Sequence, residues 1–257
     1  GYDYNIRSYI ARAWLQNEIN TTHWDINYGM EMSYTNFMRH GNMRNGRAPE
    51  NSYGAGKRHT FDNAALKAGA TYKINGRNYI TAHAAYGSRA PLPDYAYVSP
   101  RIKDTSVTGL KSERYLSGDI SYGWNYTSFR GQITGFWTEM YDGIQKTAFY
   151  DDQYSTFMNY VMSGIRTSYK GVELGMMYKI TPALSISAAP TYSRYQYKNR
   201  PTGVRSYENG AAPDVTGTVY LKNFYVGGTP QQAYSLGIDY AAPGMWFFNL
   251  NANWMGD

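Results

Sequence analysis

The alternation of apolar and polar side chains, sustained for about ten residues at a time, limits the possible folds of this chain more than any other feature. Successive side chains of a strand point to opposite faces, so period two marks a strand with one oily and one wet face. From His23 to Phe37 one parity carries Trp24, Ile26, Tyr28, Met30, Met32 and Tyr34, and the other His23, Asp25, Asn27, Gly29, Glu31 and Ser33. The pattern returns over Leu66–Tyr72, Ile80–Tyr86, Leu116–Trp124, Phe129–Trp137, Val172–Ile180, Leu184–Tyr192, Tyr234–Tyr240 and Trp246–Trp254. With a less regular first segment near Tyr4 to Gln16, this predicts about ten strands of roughly 9 to 14 residues, lengths suited to tilted membrane strands.

Hydropathy averaged along the chain would miss this. The mean is −0.59, and no run approaches the roughly 18 apolar residues of a spanning helix. A barrel strand shows lipid only every second side chain, so its average is unremarkable. The aromatic content fits the same reading. Tyrosine occurs 28 times, and Tyr72, Tyr86, Trp124, Tyr178, Tyr192, Tyr240, Trp246 and Trp254 fall at the ends of oily faces, where interfacial girdles place such rings. A soluble sandwich also alternates, but has less reason to keep aromatics there. The predicted fold is therefore an all-β transmembrane antiparallel barrel. The chain has no cysteine, which excludes a disulfide scaffold and thiolate chemistry.

Connections give an independent test, because membrane barrels have tight turns on one side and long loops on the other. Short links are predicted near Glu18 to Thr22, at Asn75-Gly76, near Asn125-Tyr126, at Thr181-Pro182-Ala183 and at Ala241-Ala242-Pro243-Gly244. Long polar links at about 38 to 59, 89 to 112, 142 to 166 and 198 to 231 alternate with them. Strand one would run into a short turn and the last strand would leave one, placing both ends of the chain on the long-loop side. Self-contained barrels keep their termini on the other side and close on an aromatic, whereas this chain ends Met255-Gly256-Asp257. The expectation is an interior piece, residues 1 to 257, of a larger barrel, since an open sheet in lipid leaves unpaired backbone edges at several kcal/mol per group.

Three segments carry a family resemblance. Asn78-Tyr79-Ile80-Thr81-Ala82-His83-Ala84-Ala85-Tyr86-Gly87-Ser88-Arg89-Ala90-Pro91 is similar to a strand entering a loop with an Arg-x-Pro element. Leu110-Lys111-Ser112-Glu113 followed by Gly118-Asp119-Ile120-Ser121-Tyr122 is similar to a Leu-Lys-x-Glu strand opening, and Tyr169-Lys170-Gly171-Val172-Glu173-Leu174 to a Gly-x-Glu strand. In this order they resemble the C-terminal barrel of TonB-dependent outer-membrane receptors. The resemblance implies a 22-stranded barrel in the outer membrane of a diderm bacterium, an N-terminal plug, and energy delivered by TonB through a TonB box. It also implies a scarce ligand: a siderophore, cobalamin, another metal complex, a glycan or a peptide. The plug, the TonB box and the remaining strands are expected outside these residues. A passive porin and an outer-membrane hydrolase are the alternatives.

Site residues divide by position. His23, Asp25, Glu31, His83, Asp119, Glu173 and Asp239 fall on the wet face and are expected to line the lumen and meet the plug. His23 with Asp25 could form an acid/base pair, but wet-face carboxylates are general here, so no catalytic residue is assigned. His23, His40, His59 and His83 share no ligand spacing, so neither a metal site nor a cofactor is expected. The link from 38 to 59 carries Arg39, Arg44, Arg47, Lys57 and Arg58 against Glu50. Arg39, His40, Arg44 and Arg47 there are candidate contacts for an anionic ligand or for lipopolysaccharide phosphates. In the other links Tyr95, Tyr97, Arg101, Tyr150 and Tyr154 could stack on and hydrogen-bond a small or oligomeric ligand. Net charge +6 without a nucleic-acid motif argues against nucleic acid.

Overall fold

A computed structural model describes residues 1–210 and 212–256, so Asp257 of the terminal tripeptide lies outside the described residues. Twelve strands form one sheet. They are β1 (Tyr4–Asn20), β2 (Trp24–Gly41), β3 (Gly54–Lys73), β4 (Asn78–Arg89), β5 (Glu113–Asn125), β6 (Phe129–Asp151), β7 (Thr156–Lys179), β8 (Leu184–Tyr197), β9 (Thr202–Tyr207), β10 (Val215–Thr218), β11 (Gln232–Ala241) and β12 (Phe247–Gly256). Ten of them follow one another as an antiparallel meander in the order β1 to β8, then β11 and β12. The sheet is open, with β1 and β12 as its edges. β9 and β10 form a side hairpin that pairs through β9 with the upper part of β7.

The alternation has the predicted consequence. In β2 the residues Trp24, Ile26, Tyr28, Met30, Met32 and Tyr34 are all exposed, while Asp25, Asn27, Gly29, Glu31 and Ser33 are more covered. Leu66, Ile120, Ile133, Val172, Ile186, Leu236 and Leu250 are likewise exposed. A band of bare aliphatic side chains bounded by aromatics is what a hydrocarbon surround stabilises and water does not. Rings border the band at both rims. Trp24 meets Tyr72 at 4.8 Å, Trp124 meets Phe129 at 5.5 Å and Tyr240 meets Trp246 at 5.2 Å on the short-turn side. Tyr234 meets Trp254 at 5.3 Å on the other.

Short turns occupy the expected places, held by side chains rather than by a two-residue type I′ hairpin. The link predicted at Asn75-Gly76 spans residues 74 to 77, and Asn75 Oδ1 accepts the backbone N–H groups of Arg77 and Asn78, both at 2.9 Å. Thr181 Oγ1 likewise accepts the N–H of Leu184 at 3.0 Å, and Thr21 Oγ1 that of Trp24 at 2.9 Å. Asn and Thr serve because a short polar side chain can replace a backbone acceptor.

Several long links are shorter than the sequence suggests. β6 and β7 are 23 and 24 residues long and continue past the lipid band as a tall hairpin, leaving a turn of residues 152 to 155 where a loop of 142 to 166 was expected. The ladder continues because Ile144 to Asp151 pair with Ser163 to Thr156, satisfying backbone groups that would otherwise need water. The link expected over 198 to 231 contains β9 and β10, and the one over 38 to 59 shrinks to 42 to 53. His23, expected on the wet face of a strand, lies in the turn between β1 and β2.

Candidate functional site

The link between β4 and β5 folds inward, and it organises everything above the lipid band. Pro93–Ala96 form a single 3-10 turn, opened by a proline whose fixed φ suits the first position. The turn drives Ala96 and Tyr97 against Phe37 of β2 and Phe61 of β3, all four buried. Val98 and Val107 then pack on Val161 of β7 and Val204 of β9. These two clusters are the soluble-type core of the structure, and both lie on the long-loop side.

Arg39 locks this arrangement. Its side chain is 2% exposed; Nε donates to Pro100 O at 2.7 Å and Nη1 to Ser52 O at 3.0 Å. Its guanidinium also lies 5.2 Å from the Tyr4 ring centroid, and its backbone N–H donates to the Tyr97 hydroxyl at 2.9 Å. Burial pulls the guanidinium below its ordinary pKa and pushes the Tyr97 phenol above its own. Arg39 and Tyr97 were expected as ligand contacts, but they form the strut beneath the surface that a ligand would meet.

Beside the strut lies a cleft of about 400 Å³ lined by Tyr4, Asp94, Arg101, Lys146, Phe157, Asn159 and Glu208. Its charges are paired across elements. Lys146 of β6 reaches Asp94 Oδ2 at 3.5 Å, Arg101 reaches Glu208 at 3.7 Å, and Asn159 Nδ2 donates to Glu208 Oε1 at 3.2 Å. Two aromatic walls, two cations and two carboxylates in one concave space suit a small polar ligand that exchanges its own charges for these long, half-exposed ion pairs. Of the predicted contacts only Arg101 is here. Tyr4, Asp94, Lys146, Phe157, Asn159 and Glu208 were not singled out from sequence, because they come from five elements and share no spacing.

The other candidates lie around this cleft. Arg44 and Arg47 are exposed on the 42 to 53 link, and His40 is half-buried with Nδ1 3.1 Å from Asn42 Oδ1. Tyr95 is exposed on the 3-10 turn. Tyr150 stands edge-on to Phe157 at 5.4 Å, and Tyr154 meets Tyr207 at 4.9 Å, at the tip of the tall hairpin.

On the wet face the predicted carboxylates mostly meet cross-strand partners. Asp25 pairs with Lys73 at 2.6 Å, Glu31 with Arg12 at 3.2 Å and His83 with Asp119 at 2.9 Å, while Asn249 donates to Asp239. Glu173 is exposed between Thr134 and Thr191 in register. Asp25 is thus engaged by Lys73 rather than by His23. No group of three potential metal ligands occurs among the described residues.

The open meander, the lipid band and an ordered cap of loops on one side are the features against which known proteins can be compared. The family model for the TonB dependent receptor-like beta-barrel matches residues 1–257. The chain belongs to the TonB-dependent receptor β-barrel family. Among solved structures it is similar to the siderophore receptor PiuA from Acinetobacter baumannii, with 18% identity, a TM-score of 0.68, and coverage of 98% of this chain and 34% of that one. It is also similar to the ferric-catecholate import receptor Fiu from K12 E. coli, at 15% identity, TM-score 0.65 and coverage of 98% and 35%. For the ferric citrate transporter FecA the values are 14%, 0.70, 99% and 33%. This receptor-barrel chain therefore spans about a third of the length of the structures it matches, and at these identities the likeness shows the fold. No curated protein matches it.

The burial of His59 predicts that the stability of the cap depends on pH. The His59 Nε2 lies 2.9 Å from Ser106 Oγ, and the ring packs on Phe37 and Tyr97. Burial first, and Lys57 second, hold its pKa below the ordinary 6.5, with Asp104 opposing. The unfolded chain then takes up a proton before the folded one. This stabilisation is complete above the ordinary value and is lost as pH falls from there through the depressed folded value. A spin label at Leu92 is expected to gain mobility as pH drops below about 6.5, and His59→Phe to flatten that response; mobility independent of pH in the wild type would contradict the assignment.

Proposed function

We propose that this chain supplies about ten strands of the barrel of an outer-membrane receptor that imports a scarce ligand with energy transmitted by TonB. The observation that carries the reading is the mixed-charge, aromatic-walled cleft above the band, held by a cap of converging loops on the side opposite the short turns. Similar folds belong to proteins named as siderophore, ferric-catecholate and ferric citrate receptors or transporters, which makes ferric chelates the first ligands to test. Arg44, Arg47, Tyr95, Arg101, Tyr150 and Tyr154 would form the capture surface around the cleft. The polar inner face, including His83, Asp119, Glu31 and Glu173, would meet a plug carried by the remainder of the protein, and β1 and β12 would pair with further strands.

Membership of this family favours energised import over a passive pore. The partners found by Asp25 and His83 favour a lumen wall over a hydrolase. The test is uptake of a panel of isotopically labelled ferric chelates by iron-limited cells carrying the full-length receptor. Uptake is expected to require both this receptor and TonB, and Arg101→Ala to raise the half-saturating concentration about tenfold, the loss of one charge-assisted contact. Uptake that persists undiminished without TonB would sink the energised reading and point to a pore.

A further inference from the structure

Asn-Gly occurs three times, at Asn45-Gly46, Asn75-Gly76 and Asn209-Gly210, and the first two continue identically with Arg47 and Arg77. Glycine after asparagine leaves its backbone nitrogen unhindered by a Cβ, so that nitrogen can reach the preceding side-chain amide. By local sequence the three sites are alike. The fold separates them.

Asn45 is 7% exposed. Its Nδ2 donates to Gly1 O at 3.3 Å, its Oδ1 accepts the Arg47 N–H at 2.9 Å, and its own N–H donates to Ser52 Oγ at 2.8 Å. The amide is held in place and shielded from water. At Asn209 the side-chain Nδ2 donates to Tyr154 O at 3.1 Å, and the Gly210 N–H donates to Tyr207 O at 3.1 Å. There the attacking nitrogen is already engaged.

Asn75 differs in each respect. With Gly76 and Arg77 it is exposed in the turn between β3 and β4, and the Gly76 N–H has no acceptor among the described residues. Three donors converge on Asn75 Oδ1: the N–H groups of Arg77 and Asn78, both at 2.9 Å, and Asn78 Nδ2 at 3.0 Å. The Asn78 side chain is itself fixed, because its Oδ1 accepts the Tyr122 hydroxyl at 2.8 Å and its Nδ2 also donates to the Tyr126 hydroxyl at 3.2 Å. Donors held on an amide oxygen polarise the carbon for attack and stabilise the oxyanion that forms.

We propose that the turn between β3 and β4 is a self-modification site, at which Asn75 deamidates through a cyclic imide. The Gly76 nitrogen gives its proton to solvent base and bonds to Asn75 Cγ. The oxyanion on Oδ1 then collapses, the Cγ–Nδ2 bond breaks, and Nδ2 takes a proton and leaves as ammonia. Water opens the imide at either carbonyl, leaving aspartate or isoaspartate in place of Asn75. A carboxylate thus replaces a neutral amide, and isoaspartate adds a backbone carbon to the turn. Conversion accumulates with time, so old and newly made receptors would differ in charge and geometry here. This chemistry is independent of which ligand the barrel imports.

Full-length receptor folded in detergent, incubated at mildly alkaline pH in water labelled with a heavy oxygen isotope and analysed by peptide mass mapping, tests it directly. Isotope uptake separates conversion during incubation from conversion during digestion. Asn75 is expected to convert about tenfold faster than Asn45 or Asn209, to both aspartate and isoaspartate, whereas in denaturant Asn45 and Asn75 should react at the same rate. Asn78→Ala removes one donor and leaves the two backbone donors, and should slow Asn75 about fivefold. A methyl group at Gly76 meets nothing within 4 Å, so Gly76→Ala keeps the turn but crowds the attacking nitrogen, and should slow it about tenfold. Equal rates at Asn45 and Asn75 in the folded receptor, slower conversion of Asn75 when folded than when denatured, aspartate without isoaspartate, or an unchanged rate in Asn78→Ala or Gly76→Ala would each overturn the proposal.

Discussion

Arg39→Met is expected to cost about 2 to 6 kcal/mol in the cap and nothing in the lipid band, because two buried carbonyls lose the guanidinium donors that serve them. Methionine restores much of the volume, so the loss is in the acceptors. Pro100 O and Ser52 O would be left without their donors, roughly 1 to 3 kcal/mol each when buried, and Tyr4 would lose the cation over its ring. Hydrogen exchange followed by mass spectrometry on the receptor in detergent should show loss of protection in residues 42 to 53 and 90 to 112, with β4 and β5 between Ile80 and Trp124 unchanged. Arg44→Ala, an exposed neighbour in sequence, should stay within about 0.5 kcal/mol. Equal protection in Arg39→Met and wild type would remove Arg39 from its role as the strut. Tyr97→Phe provides the complementary test, since it leaves the Arg39 N–H without its acceptor.

Leu236→Arg should be the most damaging change on the lipid face, at about 2 to 4 kcal/mol near the bilayer midplane. Leu236 is 60% exposed and is flanked by Ala188 and Ala252 in register. It sits between the Tyr234–Trp254 pair on one rim and the Tyr240–Trp246 pair on the other. On a protein surrounded by water, arginine at so exposed a position would be close to neutral. The sign of the effect therefore reports the solvent. Denaturant titration of the receptor refolded into lipid vesicles gives the number, with Ser235→Ala on the opposite face as the comparison. A neutral Leu236→Arg would show that this face does not meet hydrocarbon.

Which parts were legible in the sequence follows the range of the interactions involved. Trp24 to Tyr34 could be placed on an outer face because a strand transmits its period to its neighbours without altering it. The short turns could be placed because Asn75, Thr181 and Pro243 act on residues within three of themselves. Extension of β6 and β7 beyond the band was missed, since Tyr150 and Tyr160 in a polar stretch look like loop until Tyr150 meets Phe157 and Tyr160 meets Phe149 across the hairpin. The roles of Arg39 and Tyr97 were misjudged for a related reason: a basic residue and a tyrosine near a loop read as surface, and only the inward fold of residues 93 to 107 buries them.

By itself the sequence determined the strand number of the meander, which face of each strand is oily, and the side on which the long connections lie. All three are carried by residues close in the chain, through period two and through turn chemistry. Tertiary structure alone decided where charge is used. Asp94, Arg101, Lys146 and Glu208 come together across as many as 114 positions, and Lys170 becomes the neighbour of Arg194 through a register. Contacts of that kind depend on how loops close and strands align, and a chain encodes them only in the sum of its packing.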